Sequence, residues 1–491
     1  MLEQLLTPLF NQLLKLVSQR FNRLQPNFSE LLGKYSAATF LIDCSDLPFN
    51  LQISFPNQRL LIELAPIRAS TTSTIRGKSE YFLQLLRKNA DSDALFFQQK
   101  LIISGDMEAA TAFRNCLERI DFDLLQFLSP LDNPLATKLI HKIQRSNTIN
   151  TSPVPRNPAL ELVCPAGNPQ ILRTAIDAGA DAVYFGFNKH GNARNFAGLN
   201  FSYPEVEEAL AYVHGKGRKM LAAINAYPQA QNIDYVKETI ATAAKLGVDA
   251  VILADIGMLD YATTHHPELH RHLSVQASAG SSDALEFYAR EFGIKRVILP
   301  RILDFGQIRD ITAAANELGV EVEIFGFGGL CVMAEGRCSL SGYLTGKSPN
   351  MHGVCSPAEQ ISYTQQQDKL QIKLNQFTIN EFNNRQTACY PTICKGQFSC
   401  NGQQQHIFEE PTSLSLLTSL KTMVDCKVKA LKIEGRQRSN SYVRQVVSTF
   451  RYAVDRLDSL HDQDLEQLNL QLQPLMEGAH ATEGAYREHW N

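Results

Sequence analysis

The feature that most constrains the fold is an alternation of strands and helices that fills the chain from residue 161 onward. Each short apolar stretch is followed by a helical stretch, and several of these helices end at a glycine. Eight strands that alternate with helices predict a closed parallel barrel, and an open doubly wound sheet is the alternative. The predicted strands are ELVC (161–164), DAVYFG (181–186), KMLAAIN (219–225), DAVILAD (249–255), LSVQAS (273–278), RVILP (296–300), EVEIFGF (321–327) and ALKIEG (430–435).

A long insertion separates the last two predicted strands, from about residue 327 to residue 429. It follows the carboxyl end of the seventh strand, and in a β/α barrel the loops at that end carry the active site. We therefore expect the chemistry of this chain in or beside the insertion.

The chain ahead of the barrel is predicted to form a domain of its own, residues 1–145. A polar linker broken by prolines, residues 146–158, joins it to the barrel domain at 159–491. Alternating apolar residues at 51–55 and 60–64 predict two antiparallel strands, and helical periods follow them. This α+β pattern has no cluster of His, Cys or paired carboxylates, so it predicts a binding module.

An amphipathic helix is predicted at Met1–Leu24, where apolar residues recur with a helical period. It lacks the basic start, apolar centre and cleavage site of a signal peptide. We expect this helix to dock on a domain, and a position on a membrane surface is the alternative.

The composition argues against several protein classes. A formal net charge of -3, without long runs of one sign, gives no footprint of nucleic-acid binding. Ten cysteines in 491 residues are too sparse for a disulfide-stapled secreted domain, which predicts reduced thiols and a cytoplasmic location. No stretch has the roughly 18 uncharged apolar residues of a transmembrane helix.

Four cysteines, Cys331, Cys338, Cys355 and Cys394, fall in one glycine-rich part of the insertion. Thiolates that converge there suit either an iron-sulfur cluster or zinc, although the paired C-x2-4-C spacing of structural zinc is absent. From spacing alone a cluster, zinc and unligated thiols remain equal alternatives. Cys389 and Cys400 are alternatives to Cys394 as the fourth ligand.

Polar side chains placed just beyond the strands are the candidates for catalysis. They are Asn192 and Arg194 after the second strand, Asn225, Asp255, Gln276, Ser278 and Arg301 after the following strands, and Glu434 and Arg436 after the eighth. An arginine fork binds carboxylates in a bidentate manner, so Arg194, Arg301 and Arg436 are the main candidates for an acidic ligand. The alternative is that these arginines pair with Asp255, Glu335 or Glu434 and hold the loops.

From Glu161 to about His489 the chain resembles the collagenase-like peptidase superfamily, most closely its UbiU-like branch in ubiquinone biosynthesis. The runs that carry the resemblance include LVCPAGN (162–168), NARNFAGLNF (192–201), LCVMAEGRC (330–338), GVCSPAE (353–359), YPTICKG (390–396) and KIEGRQRS (432–439). The first domain is similar to the UbiT-like lipid-binding proteins of sterol-carrier type, most visibly in DALFFQQKLIISGD (93–106). Proteins of these two kinds are separate chains in the known family, so their fusion is a departure.

The resemblance implies an α+β lipid-carrier domain followed by an α/β barrel of (β/α)8 type. It implies a 4Fe-4S cluster on Cys331, Cys338, Cys355 and Cys394, with Glu335 and Arg337 beside it, where they would either adjust its potential or fix the loop by an ion pair. It further implies oxygen-independent hydroxylation of a polyprenylated ring, with prephenate as the oxygen donor that the arginines would bind, while Gln276 and Asn225 stay catalytic candidates from their places after the strands. A UbiV-like partner is expected, and its requirement stays open.

Two other functions remain possible at this point. Other branches of the superfamily are similar to RNA hydroxylation enzymes, and a lipid-carrying scaffold with a structural cluster is the third reading. Neither a Ser-His-Asp arrangement nor an HEXXH motif is present, so peptidase activity is not expected.

Overall fold

The computed structural model describes residues 2–65, 71–120, 156–188, 192 and 194–487, without the side chains of residues 2–9. Most of the predicted linker, 146–158, therefore lies outside the described residues. Among those described, no helix combines the length and the apolar character that crossing a bilayer requires.

The first domain is a five-stranded sheet with helices packed against it. Its strands are β1 (Phe40–Cys44), β2 (Leu51–Ser54), β3 (Leu61–Leu64), β4 (Ser73–Gly77) and β5 (Leu101–Gly105), in the order β3-β2-β1-β4-β5. Its helices are α1 (Leu2–Leu24), α2 (Phe28–Leu31), α3 (Ser79–Leu86), α4 (Ser92–Phe97) and α5 (Met107–Arg119). The two antiparallel strands predicted at 51–55 and 60–64 are β2 and β3, which pair as expected.

The helix α1 docks on the edge strand β3 through polar side chains. Asn22 bonds both the N–H and the C=O of Leu60, at 2.9 and 2.8 Å, and Ser18 accepts the N–H of Ile62 at 2.9 Å. Backbone groups that an edge strand would leave unpaired are satisfied in this way. The docking expected for this helix is observed.

The second domain contains the predicted barrel. Its first seven strands are β6 (Glu161–Pro165), β7 (Ala182–Phe185), β8 (Lys219–Ala223), β9 (Ala250–Leu253), β10 (Arg271–Leu273), β11 (Arg296–Ile298) and β12 (Glu321–Gly329). The helices between them are α6 (Pro169–Ala178), α7 (Tyr203–Gly215), α8 (Ile233–Leu246), α9 (Ile256–His265), α10 (Ser282–Phe292) and α11 (Phe305–Glu317). Several begin at a capping side chain; for example, Asn168 accepts the N–H of Ile171 at 2.9 Å.

The insertion has secondary structure of its own before the barrel resumes. Its helices are α12 (Leu340–Thr345) and α13 (Pro349–His352), and its strands are β13 (Ile361–Gln366), β14 (Lys369–Leu374), β15 (Phe377–Asn383), β16 (Gln397–Cys400), β17 (Gln403–His406) and β18 (Ser413–Ser415). The chain then continues through α14 (Leu420–Asp425), β19 (Ala430–Ile433), α15 (Asn440–Asp455), α16 (Asp462–Leu472) and β20 (Ala481–Thr482).

The eight strands β6 to β12 and β19 close into a parallel barrel. Successive strands pair side by side, β11 pairs β12, and β19 pairs both β12 and β6, which excludes the open sheet. The buried faces of these strands form one large apolar core with the surrounding helices.

One strand lies two residues ahead of its predicted place. We predicted the fifth strand at LSVQAS (273–278), but the strand is Arg271–Leu273, and Val275–Ala277 form a turn of 3-10 helix. The prediction was wrong because Arg271 is buried, which its polarity does not suggest. Its guanidinium donates to backbone carbonyls of the neighbouring loops, among them those of Phe292 at 2.8 Å and Leu269 at 2.7 Å.

Candidate active site at the mouth of the barrel

The carboxylate of Glu434 connects three loops at the carboxyl end of the barrel. Its Oε1 accepts from Arg194 Nη2 at 3.0 Å, and its Oε2 accepts from Arg301 Nη1 at 2.9 Å and from the N–H of Gly329 at 3.2 Å. Burial alone would raise the pKa of Glu434, but the two guanidinium groups lower it to about 2. Glu434 therefore stays ionised and holds both arginines.

A second carboxylate completes the pairing of Arg301. The Arg301 Nε donates to Glu335 Oε1 at 2.6 Å, and the Arg301 guanidinium lies 4.3 Å from the ring centroid of Phe325. Glu335 belongs to the loop between the first two cysteines, so this pair fixes that loop to the barrel. Arg337 in the same loop is exposed and forms no ion pair with Glu335.

Gln276 and Asn225 lie in the loops that follow β10 and β8. The Gln276 side-chain amide faces the backbone oxygens of Asn225 and Asn350, and with its nitrogen turned toward them it donates to both at 3.0 Å and joins two barrel loops to the insertion. Gly336 packs on this bridge with φ +84°, and a Cβ there would lie 1.8 Å from the Gln276 carbonyl oxygen. The side-chain oxygen of Asn225 is enclosed and has no hydrogen-bond partner among the described residues.

Arg436 differs from the other two predicted arginines. It is buried at the end of β19, and its Nη1 donates to Asn192 Oδ1 at 3.0 Å. Burial and the nearby Arg194 guanidinium lower the pKa of Arg436 to about 10. The structure thus ties Arg194 and Arg301 to carboxylates, whereas Arg436 has no such pair among the residues described.

The predicted cysteines meet at the same end of the barrel. Cys331, Cys355 and Cys394 line one cavity, and Cys338 interacts electrostatically with Cys355 and Cys394. The Ser356 hydroxyl donates to the Pro391 carbonyl at 2.7 Å, which ties the segment of Cys355 to that of Cys394. Segments that are distant in sequence are brought together in this way.

The two alternative ligands lie elsewhere. Cys389 is buried in a small core of the insertion, where its sulfur accepts from Asn380 Nδ2 at 3.1 Å. Cys400 ends the strand β16, and neither sulfur lines the cavity. The geometry therefore favours Cys394 over both.

Four cysteine sulfurs, three of which line one cavity, are a donor set that suits a thiolate-bound cofactor. Burial raises the pKa of Cys331 and of Cys355 to about 12 and also raises that of Cys394, so free thiols here would stay protonated and metal binding would release their protons. Among the residues that the structure describes, no three His, Cys, Asp or Glu side chains are arranged for a single metal ion. An iron-sulfur cluster attaches its thiolates to separate iron atoms, so they stand farther apart than ligands of one ion.

One cavity of about 990 Å³ connects the first domain to these cysteines. Apolar side chains line it in the first domain, among them Leu14, Val17, Phe21, Ile53, Ile62 and Phe113. Polar and charged side chains line it at the mouth of the barrel, including Arg194, Arg301, Lys395 and Glu434. This size suits a small-molecule ligand, and the change in lining suits one with an apolar tail and a polar head.

The first domain is fastened over the mouth of the barrel by buried polar contacts. Asp91 caps α4 and accepts from Arg438 Nη2 at 2.6 Å and from the Ser439 hydroxyl at 2.7 Å. The Tyr390 hydroxyl donates to Asp93 Oδ2 at 2.6 Å. These contacts set the apolar half of the cavity beside its polar half.

Sequence reasoning selected no residue for this junction. In the sequence, Asp91 is recognisable only as a helix-capping residue. Arg438 lies in the run KIEGRQRS, and nothing in that run indicates that it pairs with Asp91. Glu434 was among the polar candidates after the eighth strand and was also considered as an arginine partner. Lys395, next to Cys394, pairs with Glu477 from 82 residues away, and nothing local indicates this contact.

Comparisons with known proteins agree with this two-part architecture. Residues 167–488 match the model of peptidase family U32, and residues 14–118 match the SCP-2 sterol transfer family. An uncharacterized protease of Methanocaldococcus jannaschii is 30% identical over 67% of this chain and 74% of its own length. The tRNA hydroxylation protein P1 of Bacillus subtilis is 28% identical over 60% of this chain and 63% of its own.

The 23S rRNA 5-hydroxycytidine C2501 synthase of Escherichia coli is 28% identical over 61% of this chain. The chain spans only 40% of that protein, and under two thirds of the Bacillus protein. This chain thus shares its barrel domain with proteins named for hydroxylation. The expected fusion of a sterol-carrier domain to a barrel of this superfamily is confirmed. The chain belongs to peptidase family U32 and carries an SCP-2 domain ahead of its barrel.

Proposed function

We propose that the protein is a component of oxygen-independent ubiquinone biosynthesis that hydroxylates the aromatic ring of polyprenylated precursors. The observation that supports this most is the single cavity with an apolar half in the SCP-2 domain and a polar half at the cysteines. A polyprenyl tail needs such shelter, because each buried methylene contributes about 0.8 kcal/mol. The tail would occupy the SCP-2 half and the ring would reach the mouth of the barrel.

The proposal includes a 4Fe-4S cluster held by Cys331, Cys338, Cys355 and Cys394. Such a cluster supplies one-electron chemistry when bound. The chain itself would orient the ring, and it fixes the cysteine loop through the pair of Arg301 and Glu335. In the overall reaction the C–O bond to the hydroxyl of prephenate would break and a ring C–O bond would form, while the proton and two electrons lost by the ring C–H would go to the prephenate carbon that the hydroxyl leaves.

Location and partners are also part of the proposal. The chain would work in the cytoplasm, with α1 as its contact to the membrane that stores the precursor. The outward face of this helix exposes Leu13, Leu16 and Leu24. A UbiV-like protein would associate with the barrel, and copurification from anaerobic cells would reveal it.

RNA hydroxylation is the second candidate, because several relatives carry tRNA or rRNA hydroxylation in their names. The position of the SCP-2 domain argues against it. That domain covers the mouth of the barrel through Asp91, Asp93 and their partners, where an RNA substrate would have to enter. The formal net charge of -3 also gives no attraction for a phosphate backbone.

Quinone and RNA analysis of a deletion strain decides between the two candidates. We expect cells grown without oxygen to lose ubiquinone and to accumulate unhydroxylated precursors, while tRNA and rRNA modifications stay unchanged. Aerobic ubiquinone should persist through oxygen-dependent enzymes. Normal anaerobic ubiquinone together with a missing hydroxylated nucleoside would replace the proposal with RNA hydroxylation. If the deletion strain loses ubiquinone and a Cys355→Ser variant restores it fully, the protein would be only a lipid carrier.

A further inference from the structure

Four tyrosines of the described chain line the cavity, and Tyr363 differs from the other three. The partners of the other hydroxyls are Asp93 for Tyr390, at 2.6 Å, the Glu434 carbonyl for Tyr442, at 3.0 Å, and Glu108 for Tyr35. The Tyr363 hydroxyl has no hydrogen-bond partner among the residues that the structure describes. One tyrosine of the cavity wall therefore keeps its donor available.

The ring of Tyr363 is held in place from both domains. Tyr363 pairs with Ile372 across β13 and β14, and its ring packs on the small core of the insertion. From the SCP-2 domain, the ring of Phe96 in α4 lies 4.7 Å away. The Ala388 N–H donates to the Phe97 carbonyl at 2.7 Å, which joins this core to α4. A side chain fixed in this way is suited to orient a ligand.

The hydroxyl of Tyr363 is a hydrogen-bond donor on the wall of the cavity. The alternation of β13 turns Tyr363 inward, whereas its neighbours Ser362 and Thr364 are exposed. Burial raises the pKa of Tyr363, so the hydroxyl keeps its proton at neutral pH. A desolvated hydroxyl without a protein partner is costly, and a ligand oxygen that accepts its hydrogen bond would remove this cost.

Tyr363 lies where the apolar and polar halves of the cavity meet. It interacts electrostatically with Asp93 of the SCP-2 domain and with Glu477 of the barrel domain, and both of these residues line the cavity. The rings of Phe96 and Tyr390 line the cavity at the same junction. Three aromatic side chains around one space suit a planar ring, which can pack against them face to face or edge to face.

The cations that line the cavity at this junction are already neutralised within the protein. They form the pairs of Arg114 with Asp93, Arg438 with Asp91, and Lys395 with Glu477. The carboxylate of a fatty acid would meet acidic groups here without a spare counter-charge, and burying it in that state is costly. A neutral ring needs no counter-charge, so the junction favours it.

We propose that Tyr363 recognises the head group of the bound lipid by donating a hydrogen bond to an oxygen substituent on a neutral aromatic ring. Phe96 and Tyr390 would flank this ring, and the apolar tail would continue into the SCP-2 half of the cavity. That the ring is the substrate of the barrel rests on the proposed function, whereas its recognition rests on the cavity alone.

Calorimetric titration of the anaerobically purified full chain tests this site with two probes that differ by one hydroxyl, 2-farnesylphenol and farnesylbenzene. We expect the parent protein to bind the phenol more tightly. Tyr363→Phe keeps the ring and its packing, so it should weaken binding of the phenol by about 3- to 10-fold, the effect of losing one neutral hydrogen bond, and leave farnesylbenzene unchanged.

Two further tyrosines serve as controls. Tyr343→Phe removes a hydroxyl from a residue of the insertion that is 88% exposed and does not line the cavity, so both probes should bind as they do to the parent. Tyr390→Phe removes the contact with Asp93, so it should weaken both probes by the same factor. The ratio of the two affinities is measured within each variant, and a general loss of folded protein therefore cancels from it.

Three results would overturn the site. They are equal affinities of the parent protein for the two probes, a ratio that is unchanged in Tyr363→Phe, and tighter binding of palmitate than of the phenol by the parent protein. None of these readouts needs hydroxylation. Phenol binding that depends on Tyr363 alongside normal anaerobic ubiquinone in the deletion strain would refute the proposed function and leave the site standing.

Discussion

At the residue scale, the identity of the four ligands is the first claim to test. Anaerobically purified protein should contain about four iron and four sulfide per chain, and Ser at Cys331, Cys338, Cys355 or Cys394 should remove most of both. Cys389→Ser is the matched control, because that sulfur is buried in the insertion without lining the cavity. Zinc in place of iron, or full iron content in Cys394→Ser, would refute the assignment.

The pairing of Arg301 predicts a structural rather than a purely catalytic phenotype. Arg301→Ala would leave the carboxylates of Glu335 and Glu434 buried without this partner, which typically costs about 3–5 kcal/mol. We expect a lower melting temperature and loss of iron, because the loop between Cys331 and Cys338 loses its anchor. Arg290→Ala breaks only the exposed pair with Glu286 and should melt like the parent protein. A stable Arg301→Ala protein with full iron content would contradict this account.

The low pKa of Glu434 predicts how stability depends on pH. The folded-state pKa of about 2 lies below the unfolded value of about 4.3, so ionised Glu434 stabilises the fold above pH 4.3, and this contribution disappears as the pH falls toward 2. It is on the order of 3 kcal/mol. Urea unfolding of the parent and of Glu434→Gln should show a constant gap from pH 5 to 7 that narrows below pH 4.3. A gap independent of pH would show that the ionisation of Glu434 contributes nothing.

At the element scale, the barrel strands could be predicted because their apolar runs are continuous and buried on both faces. The placement of β10 could not be predicted, because the buried guanidinium of Arg271 donates hydrogen bonds to backbone carbonyls of other segments. The sheet β13-β14-β15 inside the insertion was also missed, since glycine-rich flanks indicated loops. In the candidate site, sequence reasoning found the arginines but could not tell paired from unpaired, because pairing depends on contacts across the barrel.

The helix α4 forms one part of the junction between the two domains through Asp91, and α5 forms another through Glu118 and Arg119. Asp91→Ala removes the cap of α4 and the carboxylate that Arg438 contacts at 2.6 Å. We expect the junction to loosen at α4 while the contacts of α5 remain, detected by weaker chemical cross-linking between α4 and the barrel and by reduced bound lipid. Asp46→Ala is the control for cross-linking, because Asp46 bonds Ser79 at the start of α3 and does not reach the barrel. Unchanged cross-linking in Asp91→Ala would remove this residue from the junction.

At the scale of the whole molecule, the fusion places an SCP-2 domain on the barrel, and under the proposed function this domain would hold the lipid that the barrel modifies. Separate carrier and enzyme proteins must meet for every transfer, whereas here the two halves of the cavity adjoin within one chain. The effective concentration of the tail-binding half at the barrel is therefore set by the chain and not by diffusion. The sequence indicated both domains, but only the structure shows that the cavity is continuous.

Trapping the substrate tests this central claim most directly. Cys355→Ser protein, made in cells grown without oxygen and purified anaerobically, should retain the cavity but not the reaction. Mass spectrometry of its bound lipids should find an unhydroxylated polyprenylated aromatic precursor, enriched over the parent protein. A variant that is folded yet carries no prenylated aromatic lipid, even when excess precursor is supplied, would contradict the account.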